Sequence, residues 1–223
     1  MGVKENITTV FVDCFDTIIF RKVSTKEVFK EWAKEVSNIY DLSWEKVYKT
    51  FKQTNFNECF KKIFTTFTLQ ENYDIVIDLT YHKLLKTYPS LKEDFIKTAK
   101  DIYINTELKN FLINDDMVDF IRNEKNTGKK IYMVSDFYCK SDILKHWLTE
   151  LNIVDIFEDV FSSADFNKEK ATAKLYKHLV KQLGLNPATI IMYGDNIWSD
   201  VMMAKLCDLN AKHIEDKGDN DAE

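Results

Sequence analysis

The pattern of apolar and polar positions divides the chain into three stretches. Near the N-terminus, the apolar run Val10–Val12 stops at Asp13, which is typical of a buried parallel strand. Residues 21–111 repeat apolar positions at helical spacing, without a strand pattern. From residue 112 onward, short apolar runs alternate with amphipathic helical segments. We therefore predict an α/β fold, a doubly wound parallel sheet, with a helical insertion after its first strand.

The insertion carries three candidate capping boxes, each a serine or threonine followed three residues later by glutamate. They are Ser24–Glu27, Thr68–Glu71 and Ser90–Glu93, and Ser43 begins a further helix. An aromatic stripe accompanies these helices, and we favour core packing for it over the lining of a substrate pocket. The stripe contains Phe29, Trp32, Tyr40, Phe51, Phe56, Phe60, Phe64, Phe67, Tyr73, Tyr88 and Phe95.

The third stretch supplies the remaining strands. The apolar runs predict Ile131–Val134, Val160–Phe161 and Ile190–Tyr193 as strands, with Ala211–Ile214 at an edge. Between the second and third of these runs, a lysine-rich helix is predicted from about Lys170 to Leu183. Residues 215–223 form an acidic tail that we expect to fray.

Polar residues follow three of the predicted strands directly. They are Asp13, Ser135 with Asp136, and Asp195 after Gly194. Ligands of open α/β sheets bind beyond the carboxyl ends of the strands, so these side chains are placed for chemistry. The plainer interpretation is that Ser135 and Asp195 cap the helices that follow.

Composition narrows the class of protein. Among 223 residues, 45% are hydrophobic and only five are Gly and two Pro, which fits a packed core with an insert. A net charge of −5 gives no reason to expect a nucleic acid or an anionic membrane as partner. No signal peptide or membrane span is recognisable. The widely spaced Cys14, Cys59, Cys139 and Cys207 favour reduced thiols and a cytoplasmic location.

Four short motifs appear in a fixed order along the chain. They are Asp13-x-x-x-Thr17, then Ser135, then a lysine, and finally the acidic string GDNIWSD that contains Asp195 and Asp200. This order resembles the haloacid dehalogenase superfamily of hydrolases. The resemblance implies a core of residues 1–20 and 112–223 and a helical cap domain, of the C1 type, over residues 21–111.

The resemblance also implies roles for the motif residues. Asp13 matches the nucleophile that attacks phosphorus and forms an aspartyl-phosphate. Thr17 and Ser135 match the hydroxyl residues that steady the nucleophile and bind phosphate oxygens, and Asp136 joins Ser135 in substrate binding. Lys170 matches the lysine that neutralises charge, because the string KATAKLY has the family spacing. Lys168 is the second candidate for this lysine.

A metal site and a small phosphorylated substrate follow from the same resemblance. Asp13, Asp195, Asp200 and the backbone carbonyl of Phe15 form an oxygen set suited to Mg²⁺. The metal would offset repulsion between the anionic nucleophile and an anionic phosphate. The expected activity is that of a phosphatase, a hydrolase of phosphoric esters or anhydrides.

One position departs from the phosphatase pattern. Phosphatases of the superfamily usually carry a second aspartate, the general acid and base, two residues after the nucleophile. Here Phe15 occupies that position, as an aromatic residue does in the dehalogenases, and the aspartate falls one later, at Asp16. Asp16 is either the replacement acid or a residue that only stabilises the turn. Without an acid, substrates with a good leaving group are easier to cleave.

The string DCFDTIIFRKVSTKEVF also looks like a bacterial subfamily with the motif FDxFDTLxxR. Its members are often associated with glycosyltransferases, which suggests a functional link to one and a sugar phosphate substrate. Arg21, shared with that motif, either reaches a substrate anion or forms a salt bridge between core and cap. Two other functions stay open: a weakly active or non-catalytic protein that binds a phosphorylated ligand, and a metal-free dehalogenase.

Overall fold

The computed structural model describes residues 6–65 and 73–215, and of residues 55–65, 73 and 74 only the backbone. The chain divides into two compact units, residues 1–20 with 112–223 and residues 21–111. The strands are β1 Thr9–Val12, β2 Ile19–Arg21, β3 Phe111–Ile113, β4 Lys130–Ser135, β5 Asp159–Ser162, β6 Ile190–Gly194 and β7 Asn210–His213. The helices are α1 Thr25–Tyr40, α2 Trp44–Thr65, α3 Tyr73–Leu85, α4 Lys92–Lys109, α5 Asp115–Asn126, α6 Ser141–Glu150, α7 Ser163–Phe166, α8 Lys174–Leu183 and α9 Met203–Leu206.

The first unit is built on a five-stranded sheet in the order β5-β4-β1-β6-β7. All of its pairings are parallel, and Val12 at the end of β1 lies opposite Met133 of β4 and Tyr193 of β6. Strands alternate with helices along the chain, which confirms the predicted doubly wound α/β fold. This order brings the carboxyl ends of β4, β1 and β6 side by side.

The central strands are apolar because both faces of the sheet are covered. Val10, Phe11 and Val12 are fully buried, and Phe11 belongs to a core cluster with Leu175 and Tyr176 of α8. Burying such a side chain contributes roughly 1.5–3 kcal/mol. This packing fixes β1, and with it the position of Asp13 directly after the strand.

The second unit contains α1 to α4. Ser24 caps α1, because its side chain accepts a hydrogen bond from the Glu27 N–H. Trp32 is fully buried and donates from its indole to the Ala99 carbonyl of α4. Phe51 and Phe95 are also buried, Phe29 and Tyr40 are half-buried, and Tyr88 is exposed. Core packing therefore holds for most of the described stripe, but not for Tyr88. Among the described residues, no helix has the length and apolar character that a membrane span requires.

Several local predictions for residues 21–113 need correction. The capping box at Ser90 is wrong, because Pro89–Leu91 form a 3₁₀ turn and α4 begins after Leu91 without a side-chain cap. The helix expected from Ser43 is α2, which begins at Trp44 and continues through residues 56–64. The short strands β2 and β3 pair as a two-stranded sheet that the sequence did not indicate. Several predictions lie outside the described residues. They concern the Thr68–Glu71 box, Phe67, the tail of residues 216–223, and the side chains of Phe56, Cys59, Phe60, Phe64 and Tyr73.

Two corrections fall on elements that carry motif residues. The predicted helix from Lys170 is interrupted: Lys170–Thr172 form a 3₁₀ turn, and α8 begins after Ala173, whose φ is +62°. An alanine rarely adopts this left-handed conformation. The segment after Asp195 begins as a π-helical turn, Ile197–Met202, before α9. Such turns are frequent at functional sites.

Candidate active site

The nucleophile candidate sits at the end of the central strand. The Asp13 N–H donates to the Tyr193 carbonyl at 2.9 Å, so the sheet pairing still holds the backbone at this position. The chain then turns tightly, and the N–H groups of Ile18 and Ile19 both donate to the Cys14 carbonyl at 2.9 Å. The side chain of Asp13 is mostly buried, at 12% exposure. Backbone hydrogen bonds at Asp13 and in the turn after it therefore hold its carboxylate at the sheet edge, which is the edge formed by the carboxyl ends of the strands.

Thr17 lies in the same turn, fully buried. Its hydroxyl donates to the Asp195 carboxylate at 3.4 Å, and its carbonyl accepts from the side chain of Asn114 at 2.9 Å. The structure thus places Thr17 against the fourth motif and ties the nucleophile turn to the start of α5.

Lys170 reaches the nucleophile from the 3₁₀ turn. Its Nζ lies 2.6 Å from Asp13 Oδ1 and 2.7 Å from Asp200 Oδ1, with only 2% of the side chain exposed. Burial by itself lowers the pKa of Lys170, but Asp13 and Asp200 raise it well above its ordinary value. The lysine is therefore a permanent cation. Lys168 instead directs its Nζ to the Phe166 carbonyl at 3.4 Å, so the geometry favours Lys170 for the charge-neutralising role.

The fourth motif places two carboxylates beside the first. Asp195 follows β6, and Asp200 lies in the π-helical turn, fully buried. Asp200 Oδ2 accepts from the Asn196 N–H at 3.2 Å, and Asp200 Oδ1 accepts from the Ser199 hydroxyl at 3.3 Å. Carboxylate oxygens of Asp13, Asp195 and Asp200 all lie within 4.8 Å of one another.

This crowding leaves the cluster short of positive charge. Burial raises the pKa of Asp13 to about 7; Lys170 opposes this rise, and Asp200 adds to it. Burial and then Asp200 raise the pKa of Asp195 as well. Three carboxylates face the single ammonium of Lys170 among the described contacts. A hard divalent cation that prefers oxygen ligands fits this donor set, and Mg²⁺ has that chemistry.

Ser135 and Asp136 follow β4 and have different surroundings. Ser135 is buried at 2% exposure and lines the cavity above Asp13. The Asp136 carboxylate accepts from the backbone N–H of Lys170 at 2.8 Å and from that of Ala171 at 3.1 Å. The predicted substrate contact therefore competes with two backbone hydrogen bonds at Asp136.

Phe15 and Asp16 lie on the other side of the nucleophile. The Phe15 ring packs on Phe137 at 4.6 Å between centroids and meets Trp147 edge-on at 6.4 Å. Asp16 is exposed, has φ +56°, and its N–H donates to the Ile19 carbonyl at 2.9 Å. Aspartate tolerates this left-handed conformation better than most residues, which agrees with a turn-stabilising role.

Seven of the predicted residues line one cavity of about 190 Å³ in the first unit, whereas Thr17, Asp200 and Arg21 do not belong to its lining. Its lining comprises Asp13, Phe15, Asp16, Ser135, Asp136, Lys170, Asp195, Asn196 and Ser199. Sequence reasoning missed the last two. Asn196 is detectable as a cap, because its side chain accepts from the N–H groups of Trp198 and Ser199. Ser199 carried no such signal, since its place depends on the π-helical turn.

Arg21 belongs to the second unit and forms a salt bridge there. Its guanidinium contacts the Glu107 carboxylate twice, at 2.9 Å from Nε and 3.2 Å from Nη2. Glu107 is fully buried and also accepts from the Tyr103 hydroxyl at 2.8 Å. The expected bridge between core and cap is wrong for this pair, because both partners lie within residues 21–111.

Comparison with solved structures shows the fold shared by known hydrolases. A 2-haloacid dehalogenase from Pseudomonas syringae has a TM-score of 0.70 at 10% identity, covering 92% of this chain and 85% of that one. A HAD phosphatase from Thermococcus onnurineus has a TM-score of 0.60 at 19% identity, covering 96% and 88%. YfnB from Bacillus subtilis, a HAD hydrolase solved bound to magnesium, has a TM-score of 0.57 at 16% identity, covering 94% and 87%.

Sequence comparison gives the family. No curated protein matches the chain. The family model for hydrolases of the haloacid dehalogenase-like type matches residues 7–208, which include every motif residue described above. The chain belongs to the haloacid dehalogenase-like hydrolase family.

Proposed function

We propose that this hydrolase is a Mg²⁺-dependent phosphatase that acts on a small phosphorylated metabolite through an aspartyl-phosphate. The observation that carries the proposal is the cluster of Asp13, Asp195 and Asp200, whose carboxylate oxygens lie within 4.8 Å of one another. The haloacid dehalogenases of this superfamily need no metal, and they usually lack the acidic fourth motif.

The metal would be held by Asp13, Asp195 and the backbone carbonyl of Phe15, with Asp200 as a direct ligand or one acting through water. Mg²⁺ usually keeps several waters and few protein ligands, which agrees with so small a set. When bound, it offsets the repulsion between the Asp13 carboxylate and an anionic phosphate.

The residues of the chain account for the two chemical steps. An Asp13 oxygen attacks phosphorus, and the bond from phosphorus to the leaving oxygen breaks. Water then attacks the same phosphorus, which releases phosphate and restores the Asp13 carboxylate. Lys170 stabilises negative charge near the phosphoryl oxygens in both steps, and Ser135 supplies a hydroxyl donor beside it. Thr17 steadies the site by donating to the Asp195 carboxylate.

The leaving group determines which substrates suit the site. Phe15 provides no proton, and its ring is packed against Phe137. The leaving oxygen then departs most easily when it is already weakly basic, as in aryl or acyl phosphates. Asp16 lines the same cavity and is the alternative acid. The glycosyltransferase-like subfamily motif makes sugar phosphates the other substrate class to examine.

The deciding experiment measures phosphate release from a panel of phosphorylated metabolites, with Mg²⁺ and with EDTA. We expect release only with Mg²⁺, and faster release from aryl and acyl phosphates than from hexose phosphates. General acid–base help is worth about a hundred- to ten-thousandfold, so Phe15→Asp should narrow this gap by accelerating the alkyl esters. Comparable wild-type rates on both classes, together with selective loss in Asp16→Asn, would assign the acid role to Asp16.

A metal-free dehalogenase is the second candidate, favoured by the aromatic residue at Phe15. Halide release from a 2-haloacid in EDTA distinguishes it from the phosphatase. If neither phosphate nor halide is released, calorimetric titration with phosphorylated ligands tests the non-catalytic, ligand-binding alternative. Either result would replace the proposed phosphatase.

A further inference from the structure

Asp136 lies in the chain between Ser135, which lines the cavity, and Phe137, which packs on Phe15. Its carboxylate accepts hydrogen bonds from the backbone of another segment. Oδ1 accepts from the Lys170 N–H at 2.8 Å, and Oδ2 accepts from the Ala171 N–H at 3.1 Å. The two segments are 34 residues apart along the chain. The contact therefore ties the end of β4 to the turn that carries the buried lysine.

The turn needs an external partner for these N–H groups. The first N–H groups of a helix have no acceptor within it, and Glu169, which precedes the turn, makes no side-chain cap there. A carboxylate that accepts two N–H bonds fills this need with charge-assisted bonds, which are stronger than neutral ones. Asp136 thus caps the turn from outside the segment.

The neighbouring helix α8 is not continuous with the turn that carries the lysine. Ala173, at φ +62°, separates the turn from α8, so the regular helical bonds of α8 begin after the lysine. The Trp198 indole donates to the Ala171 carbonyl at 3.1 Å and supports the other side of the turn. The position of the Lys170 backbone therefore depends on a few specific contacts. The Asp136 pair holds the N–H groups of the turn, while the Ala173 N–H donates to the Lys170 carbonyl at 2.7 Å and the Leu175 N–H to the Glu169 carbonyl at 3.1 Å.

The position of that backbone decides where the ammonium lies. Lys170 Nζ must reach both Asp13 Oδ1 at 2.6 Å and Asp200 Oδ1 at 2.7 Å in a nearly closed interior. Reaction rates already fall when a catalytic group is displaced by well under an ångström. A shift of the turn would therefore be passed directly to the ammonium.

Binding of substrate by Asp136 fits the contacts less well. A carboxylate repels an anionic phosphate, and both oxygens of Asp136 already accept backbone hydrogen bonds. Freeing an oxygen for a substrate would leave an N–H of the turn without its acceptor, at a cost comparable to a lost buried hydrogen bond.

We propose that Asp136 is a positioning residue, whose carboxylate fixes the Lys170 turn so that the lysine ammonium meets both Asp13 and Asp200. The inference rests on the proposed function only where it gives Lys170 a phosphoryl group to stabilise. The holding of the turn is a property of the protein without substrate.

The first test follows the turn itself. Amide hydrogen exchange at Lys170 and Ala171 is measured by NMR in the wild type, Asp136→Ala and the control Asp165→Ala. Asp165 is a matched control, because its carboxylate also accepts backbone N–H bonds, from Ser141 at 3.2 Å and Ser162 at 3.3 Å. We expect exchange at the two turn amides to accelerate at least about tenfold in Asp136→Ala alone. Unchanged exchange there overturns the proposal, whatever the enzyme hydrolyses.

The second test separates positioning from substrate binding. With p-nitrophenyl phosphate and Mg²⁺, Asp136→Ala should lower kcat about 10- to 100-fold with KM nearly unchanged. Asp136→Asn keeps one acceptor for the Lys170 N–H, so its kcat should fall between that of the wild type and that of Asp136→Ala. A higher KM with kcat intact would return Asp136 to substrate binding. A wild type that releases no phosphate from the panel removes the proposed function, and the exchange measurement still decides the role of Asp136.

Discussion

The two units each bury an ionic cluster, and the clusters differ in charge balance. In the unit of residues 21–111, the Arg21 guanidinium and the Glu107 carboxylate pair through two hydrogen bonds, supported by the Tyr103 hydroxyl. In the sheet-containing unit, Lys170 contacts both Asp13 and Asp200, and Asp195 adds a third carboxylate. One cluster is matched cation for anion, whereas the other carries excess negative charge.

This difference distinguishes a balanced ion pair from a cluster that can accept a further cation. A buried pair with good geometry roughly offsets its own desolvation cost, and it persists because removal of one partner leaves a buried charge. A cluster with surplus carboxylates is costly until a cation or a proton reaches it. Burial raises the pKa of Asp13 to about 7, Lys170 opposes the rise, and the charge of Asp200 adds to it. Perturbed groups of this kind mark functional sites. The surplus charge therefore points to the sheet edge, and not to the Arg21 pair, as the place of chemistry.

The largest expected effect comes from removal of the only cation in the described contacts of the acidic cluster. Lys170→Met should lower kcat for aryl phosphates about a thousandfold, the size of loss seen when a charge-stabilising group is removed. It should also destabilise the fold by about 3–5 kcal/mol in EDTA, because the carboxylates lose their buried partner. Lys168→Met is the control, with near wild-type values of both. If Lys168→Met loses activity and Lys170→Met does not, Lys168 is the charge-neutralising lysine.

The two clusters should respond with opposite sign when one carboxylate is neutralised. At pH 8 in EDTA, Asp13→Asn removes a buried charge and its repulsion with Asp200, and it should raise the free energy of unfolding by about 2–4 kcal/mol. Glu107→Gln leaves the Arg21 guanidinium without its charged partner and should lower the same quantity by about 1–3 kcal/mol. Urea unfolding of the two variants beside the wild type measures both values. Destabilisation by Asp13→Asn would show that the acidic cluster is balanced after all.

The pH dependence of stability should also follow from the acidic cluster. Because the pKa of Asp13 is about 7 in the folded chain and near its ordinary 3.8 when unfolded, the folded state binds an extra proton between these values. The stability that this extra proton contributes is fully present below about pH 4 and is lost as pH rises through 7. The metal-free protein should therefore be more stable at pH 5 than at pH 8 by about 2.6 kcal/mol, and it should melt at a higher temperature at pH 5.

Two controls identify Asp13 and the metal as the cause. Asp13→Asn should flatten the pH dependence, whereas Glu107→Gln should preserve it. Mg²⁺ at a hundredfold excess over its dissociation constant should add about 2.7 kcal/mol at pH 8 and less at pH 5, where protons compete for the carboxylate. A melting temperature that falls from pH 8 to pH 5 in EDTA would contradict the raised pKa.

The places of Asp13 and Asp195 in the acidic cluster were predictable, because each follows the end of a buried strand and such strand ends can be recognised in the sequence. Buried apolar runs stop at Asp13, Ser135 and Gly194, and a parallel sheet brings such ends to one edge whatever the connecting segments do. Lys170 was predictable from motif spacing, but its local structure was not, since an alanine with positive φ interrupts the helix pattern.

Contacts between distant segments were beyond sequence reasoning. Nothing near Asp136 in the sequence shows that its carboxylate accepts from two N–H groups 34 and 35 residues away. A salt bridge of Arg21 to the core was one of two expectations, but its partner is Glu107, 86 residues along the chain and in the same unit. Local patterns therefore predict which side chains reach the sheet edge, whereas the packed structure decides how each of them is held.

The smallest predicted effect concerns how the surplus charge is held in place. A Cβ at Gly194 would lie 2.3 Å from Asp200 Oδ2 and 2.5 Å from its Cγ, so Gly194→Ala must displace the Asp200 side chain. Displacement of a residue that supports a metal site typically costs about 10- to 100-fold in metal affinity, and we expect the lower end of that range for Mg²⁺, because Asp13 and Asp195 remain. Gly184→Ala is the matched control: its φ of +63° strains an alanine, but nothing lies within 4 Å of the new Cβ. That control should lose about 1 kcal/mol of stability and bind Mg²⁺ as the wild type does. Calorimetric titration with Mg²⁺ separates the two variants, and equal affinity in both would mean that the position of Asp200 does not govern the site.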